Sequence, residues 1–171
     1  MTTRQLYLFS CLYLLITIAV AAVTRATSRR IAGAFAGAAA SGLVGLAILR
    51  LGERTGWWHI PIPWEPYFLL LLWLNIVLCA YVFLITWRVS RRFGGRGLAA
   101  ILFAAAVIGP PRDYWYMRHF PEWGNYGPGV APILAISASY VVLLAVGHGV
   151  MRLVAGPADE DHLARSWWKA A

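Results

Sequence analysis

Two stretches of the 171-residue chain carry most of its reactive side chains. The first reads Glu53-Arg54-Thr55-Gly56-Trp57-Trp58-His59-Ile60-Pro61-Ile62-Pro63-Trp64-Glu65-Pro66-Tyr67, and the second runs from Pro110 through Arg112, Asp113, Tyr114, Trp115, Arg118, His119, Glu122 and Trp123 to Tyr126. Together they hold five of the nine tryptophans, four of the seven acids and two of the four histidines, so chemistry is to be sought there first. Indole and phenol faces stabilise a cation by about 2 kcal/mol or more when water is excluded. A carboxylic acid held among such groups resists ionisation and can serve as a general acid near neutrality. Asp113 and Glu65 are the candidate proton donors, because each abuts the end of an apolar run among aromatics; His59 and His119 could relay protons. Arg112 and Arg118 could instead grip an anionic headgroup or a diphosphate, for which the forked donors of arginine suit them. Trp57, Trp58, Trp64, Trp115, Tyr114 and Glu122 complete the candidate substrate-binding set.

No nucleophile–base pair, zinc-ligand spacing or phosphate-cradling glycine loop accompanies these residues, which sets aside hydrolase, metalloenzyme and nucleotide readings. No metal or other cofactor is implied. A plainer account of the same residues is an interfacial belt. Trp and Tyr favour the headgroup level of a bilayer, and Arg112–Asp113 or Glu53–Arg54 would then be ordinary surface ion pairs.

The elements that must position these groups follow from composition. Apolar residues make up 60% of the chain and charged residues 13%, against roughly 45–50% and about 25% in soluble domains. A soluble fold of this size cannot bury that much apolar surface, so the chain belongs in a bilayer. A span needs about 20 mostly apolar residues, and backbone amides inside lipid must be satisfied internally, which selects helices. The uncharged runs predict an all-α integral membrane protein, a bundle of about five helices over 6–24, 31–50, 66–87, 97–113 and 130–152. The uncharged run beneath the fourth is the shortest and ends in Pro110-Pro111. These spans form one domain, 1–155, followed by a short tail, 156–171. The first span is read as a retained helix; a cleaved secretory signal ending near Ala19-Val20-Ala21-Ala22 is the alternative and would leave four.

Fourteen of the fifteen cations are arginine, clustered between the apolar runs, where membrane orientation signals lie. Nucleic-acid binding is therefore set aside. One side of the bundle collects ten cations (Arg25, Arg29, Arg30, then Arg88, Arg91, Arg92, Arg96, then Arg152, Arg165, Lys169) and the other collects five. The positive-inside rule makes the first side cytoplasmic, so the N-terminus lies outside and the C-terminus inside, as in a bacterial inner membrane. Both reactive stretches then fall on the outer face.

Gly33, Gly37, Ser41 and Gly45 recur every fourth residue, a stripe along which another helix backbone can approach closely. Packing within the bundle is the first reading; a homo-oligomer or a membrane partner is the second. Cys11 and Cys79 lie inside apolar runs and read as small buried residues. Asn75 and His148 are the notable polar side chains within spans, each expected to hydrogen-bond a neighbouring helix. Trp167-Trp168-Lys169 suits a short interfacial piece.

Pro111-Arg112-Asp113-Tyr114-Trp115, followed by Trp123-Gly124-Asn125-Tyr126-Gly127, resembles the proline–aspartate and Trp-x-Tyr region of the small bacterial lycopene cyclase domains. Pro63-Trp64-Glu65-Pro66-Tyr67-Phe68 is similar to the proline–glutamate–aromatic stretch that opens a span there. The family has two adjacent acids where this chain has Glu65-Pro66, and the two motifs stand here in separate loops and in reversed order. The resemblance implies a role in carotenoid biosynthesis: protonation of a polyene end group and ring closure through a carbocation, with neither metal nor redox change.

The expectation is a polytopic inner-membrane protein with an aromatic, acid-bearing site at the outer leaflet, acting on a lipid or isoprenoid by acid-catalysed isomerisation or cyclisation. The rival is a non-enzymatic subunit or assembly factor that docks a larger partner through its small-residue helix and outer loops.

Overall fold

A computed structural model describes residues 3–60, 68–121, 124–160 and 163. Glu65, Trp64, Glu122 and the Trp167-Trp168-Lys169 end lie outside the described residues. The elements run α1 (Thr3–Thr24), α2 (Ser28–Thr55), β1 (Trp58–His59), α3 (Phe68–His119), β2 (Asn125–Tyr126) and α4 (Val130–Ala155). Four of the helices are long and apolar enough to cross a membrane. Large apolar side chains on their outer faces, such as Leu15, Ile18, Phe103, Leu134 and Leu153, are exposed, as lipid contact requires.

The runs expected as separate third and fourth spans form one element, α3, interrupted at Gly94. Gly94 holds φ 62°, ψ −152°, a backbone state open in practice to glycine alone. The chain folds back there. Cys79 and Phe83 on one arm line the same cavity as Ala105 and Gly109 on the other, whereas an unbroken helix would hold Cys79 and Gly109 about 45 Å apart at 1.5 Å per residue.

The second arm takes Pro110 and Pro111 inside it and runs past the expected bound at residue 113, to His119. Pro110 has no N–H for the Ala106 carbonyl four residues back. Ser137 of α4 supplies the missing donor, its Oγ lying 2.8 Å from that oxygen. Ser137→Ala should therefore cost about 1 kcal/mol, read as a drop in detergent thermal stability. Pro110→Ala, which restores the helical N–H, should make the serine dispensable.

The stripe on α2 is filled from within the chain. Gly37 faces the Gly147 backbone, a Cβ on Gly33 would lie 2.9 Å from the Ala155 Cβ, and Ser41 donates to the Leu143 carbonyl at 3.1 Å. Gly33, Gly37 and Ser41 are accordingly buried against α4, and Gly45 meets Leu143. The close approach that the spacing permits is thus taken up inside one bundle. α1 rides on α3, with Leu6 buried beside Leu74 and Val77 and Thr17 Oγ1 donating to the Val77 carbonyl at 3.1 Å.

Charge sorts to the two ends. At one end Arg30, almost wholly buried, donates to the Gly156 and Pro157 carbonyls at 2.9 and 2.8 Å and lies over the Trp87 ring. A cation at the C-terminus of α4 meets the negative end of the helix dipole. The opposite end carries the short ladder β1–β2 and the Arg112–Asp113 pair. His148 is buried, and its Nδ1 finds no hydrogen-bond partner among the described residues, contrary to the interhelical bond expected.

Candidate functional site

The Arg112 end of the bundle opens into a cavity of about 420 Å³, within the range typical of small-ligand sites. Its long walls are apolar: Ile48 and Leu49 from α2, Leu78 and Phe83 from the first arm of α3, Ala105 and Ile108 from the second, Ile136 and Leu144 from α4. Arg112, Asp113, Tyr126 and Tyr140 cluster at its polar end, and Ser41, Asn75, Tyr81 and Ser139 add polar atoms to the lining.

Arg112 and Asp113 are adjacent, and the guanidinium turns back on its neighbour. Nε and Nη2 donate to Asp113 Oδ1 at 3.1 and 2.9 Å. Tyr140 of α4 donates its hydroxyl to both carboxylate oxygens at 2.9 Å and accepts a short bond from Arg112 Nη2. The guanidinium also stacks 5.3 Å from the Tyr140 ring centre. Gly109 makes this possible, because any Cβ there would collide with the Tyr140 ring. Asp113 is thereby an acceptor of several charge-assisted or phenolic bonds.

Trp58 and Tyr126 face the cavity from the ladder. α2 ends at Gly56, φ 74°, and Trp57 N–H returns to the Gly52 carbonyl at 2.9 Å. That left-handed cap swings Trp58 onto the bare backbone of Gly52, where its Nε1 donates to the Leu49 carbonyl at 3.0 Å. Trp58 pairs with Tyr126 and His59 with Asn125 in an antiparallel register. Gly124, φ 136°, leaves room for the His59 carbonyl. The Tyr126 ring then lies edge-on to Trp58 at 6.3 Å and 4.7 Å from Tyr114.

Burial, and next the Asp113 charge, push the Tyr126 phenol well above its ordinary range. The folded protein therefore retains a proton that the unfolded chain releases near pH 10. Stability from this group is intact below that pH and is lost as pH rises beyond it. Alkaline unfolding should accordingly be shallower in Tyr126→Phe, followed by circular dichroism between pH 9 and 12.

Of the residues singled out from sequence, Arg112, Asp113 and Trp58 line the cavity, with Tyr114 and Trp57 one ring behind. Four others stand apart from it. Trp115 is exposed and stacks on exposed His119 at 4.2 Å; Arg118 and His59 are exposed and form no part of the wall. Tyr140, Tyr81, Tyr126 and Ser139 also line the cavity without having been singled out from sequence, and so do Cys79, read there only as a small buried residue, and Asn75, read only as a helix bond. Tyr140 had one available signal: a polar ring inside a run uncharged from Trp123 to Met151. Among the described residues no three His, Cys, Asp or Glu side chains gather as a metal site.

No protein-family model, curated protein or solved structure matches the chain. The resemblance to lycopene cyclase domains stands on its two short motifs alone.

Proposed function

We propose that this chain is a multi-pass membrane protein that binds one lipid or isoprenoid molecule, its hydrocarbon part in the cavity and its polar end beside Arg112, Asp113 and Tyr140. One observation carries the reading: an apolar hollow inside a membrane bundle, with a compact polar cluster at one end. That is the shape of an amphipathic, single-chain ligand. The fold-back at Gly94 supports counting α3 as two crossings, hence five in all. The arginines of residues 25–30, 88–96 and 152 then lie on the cytoplasmic side, with the N-terminus and the cavity's polar end outside.

The test is extraction. Purified protein should release a prenyl or acyl compound into organic solvent, identified by mass spectrometry. Ala105→Phe, which pushes a ring into the cavity wall, should lower its yield at least about tenfold while the bundle still inserts. Equal yields from both proteins would refute the reading.

A catalytic reading of the same site has one observation in its favour: the Asp113 carboxyl reaches the cavity among the rings of Trp58, Tyr81, Phe83, Tyr126 and Tyr140. Those faces would shelter a carbocation, as acid-catalysed isomerisation or cyclisation of a polyene requires.

A further inference from the structure

The cavity's polar groups differ in whether they are already committed, and that difference selects the ligand's head. Ser41 donates to the Leu143 carbonyl, Ser139 to the Ala135 carbonyl at 2.6 Å, Trp58 to the Leu49 carbonyl, and Tyr140 to Asp113. Each satisfies its neighbour within the protein, and the Asn75 amide in the same wall has an interaction of its own, so these groups leave little hydrogen-bonding capacity for a ligand. The hydroxyls of Tyr81 and Tyr126 are different. Both residues line the cavity, both lie within electrostatic reach of Arg112, and neither hydroxyl makes a hydrogen bond among the described residues. Phenol O–H groups lining a mainly apolar cavity are best satisfied by an acceptor on the ligand.

Charge narrows the class further. Among the described residues Arg112 is the one cation in the cavity wall, and Asp113 neutralises it at 2.9 Å. A diphosphate would meet a site of no net positive charge and would lie against a carboxylate; repulsion and desolvation both oppose it. A neutral oxygen meets neither obstacle.

Building on the reading that the cavity holds a prenyl or acyl chain, we propose that its ligand ends in an uncharged oxygen acceptor, a hydroxyl or carbonyl, which takes hydrogen bonds from Tyr126 and Tyr81. The class is the prenyl alcohols and ketones, and it excludes prenyl diphosphates.

Three probes of equal chain length decide this: farnesol, farnesyl diphosphate and the saturated hydrocarbon farnesane, each competed against radiolabelled farnesol on the full-length protein in detergent. Farnesol should bind tightest. Tyr126→Phe should weaken farnesol about fivefold, the loss of one neutral hydrogen bond, while farnesane binds unchanged. Tyr81→Phe gives an independent reading of the same effect should the first variant be unstable, and the double variant should bring farnesol to the level of the hydrocarbon. A tighter diphosphate, or an equal loss for all three probes, would overturn the assignment of the head and leave the cavity reading standing, since binding persists. Absence of binding by every probe to the unaltered protein would remove the cavity reading and this assignment together.

Discussion

Gly37→Leu should leave little folded protein in detergent, with thermal unfolding lost or shifted to well below that of the parent. Overpacking a core commonly costs 1–3 kcal/mol, because neighbouring side chains shift to make room. Here the obstacle is the backbone carbonyl of Gly147, which lies well inside contact distance of any Cβ at position 37. A carbonyl within a helix cannot rotate away, so α2 and α4 must separate along their whole seam. Gly147 has no freedom on its other side either, since the Phe83 ring occupies the space where its own Cβ would be. The expected cost is about 3 kcal/mol or more, a large share of the 5–15 kcal/mol that stabilises a typical domain. Gly149→Leu is the control. It places the same side chain on α4 at an exposed position with nothing within 4 Å of its Cβ, and it should unfold as the parent does. Equal behaviour of the two variants would mean that α2 does not lie on α4 in this way. Because the stripe is filled from within the chain, failure of Gly37→Leu reports the fold itself and carries no information about a docking partner.

Asp113→Asn should change what the cavity prefers. The carboxylate now balances Arg112 and accepts from Tyr140; the amide is nearly isosteric and keeps an acceptor oxygen, so the helices stay joined. Arg112 then has no counter-charge at 2.9 Å. Its side chain is 55% exposed, so solvent screens part of the effect. Farnesyl diphosphate should nevertheless gain at least about tenfold over farnesol, a ratio that 1.4 kcal/mol produces. The same variant bears on catalysis. If Asp113 protonates a polyene, conversion of an acyclic carotenoid, followed by chromatography of the products, should fall by about 10²–10⁴ while binding persists. A site that only binds converts none in either protein. An unchanged preference for farnesol would mean that Arg112 is not held by Asp113 as described.

The long apolar runs were enough for the helices, since lipid leaves a backbone no other way to satisfy itself across a membrane. Gly33, Gly37 and Ser41 announced a close helix contact but could not say with which helix. Arg112 and Asp113 stood out as charged residues at the edge of an apolar run. Tyr140 did not, because its role depends on lying opposite them across a gap in sequence of 27 residues. Trp115 and His119 looked as promising as Trp58, yet they lie on the outward face of the second arm.

Membrane class, helical character and the sorting of arginine between two ends were properties of the sequence by itself, because they follow from transfer of side chains between water and hydrocarbon, which each residue undergoes almost independently of its neighbours. Tertiary structure alone decided which aromatic residues face inward, that α3 folds back at Gly94, that Ser137 takes the place of the N–H missing at Pro110, and that the Asp113 carboxylate is tied to Arg112 and Tyr140. These depend on distances between elements far apart in the chain, and hydrogen bonds and van der Waals contacts vanish within an ångström or two of misplacement.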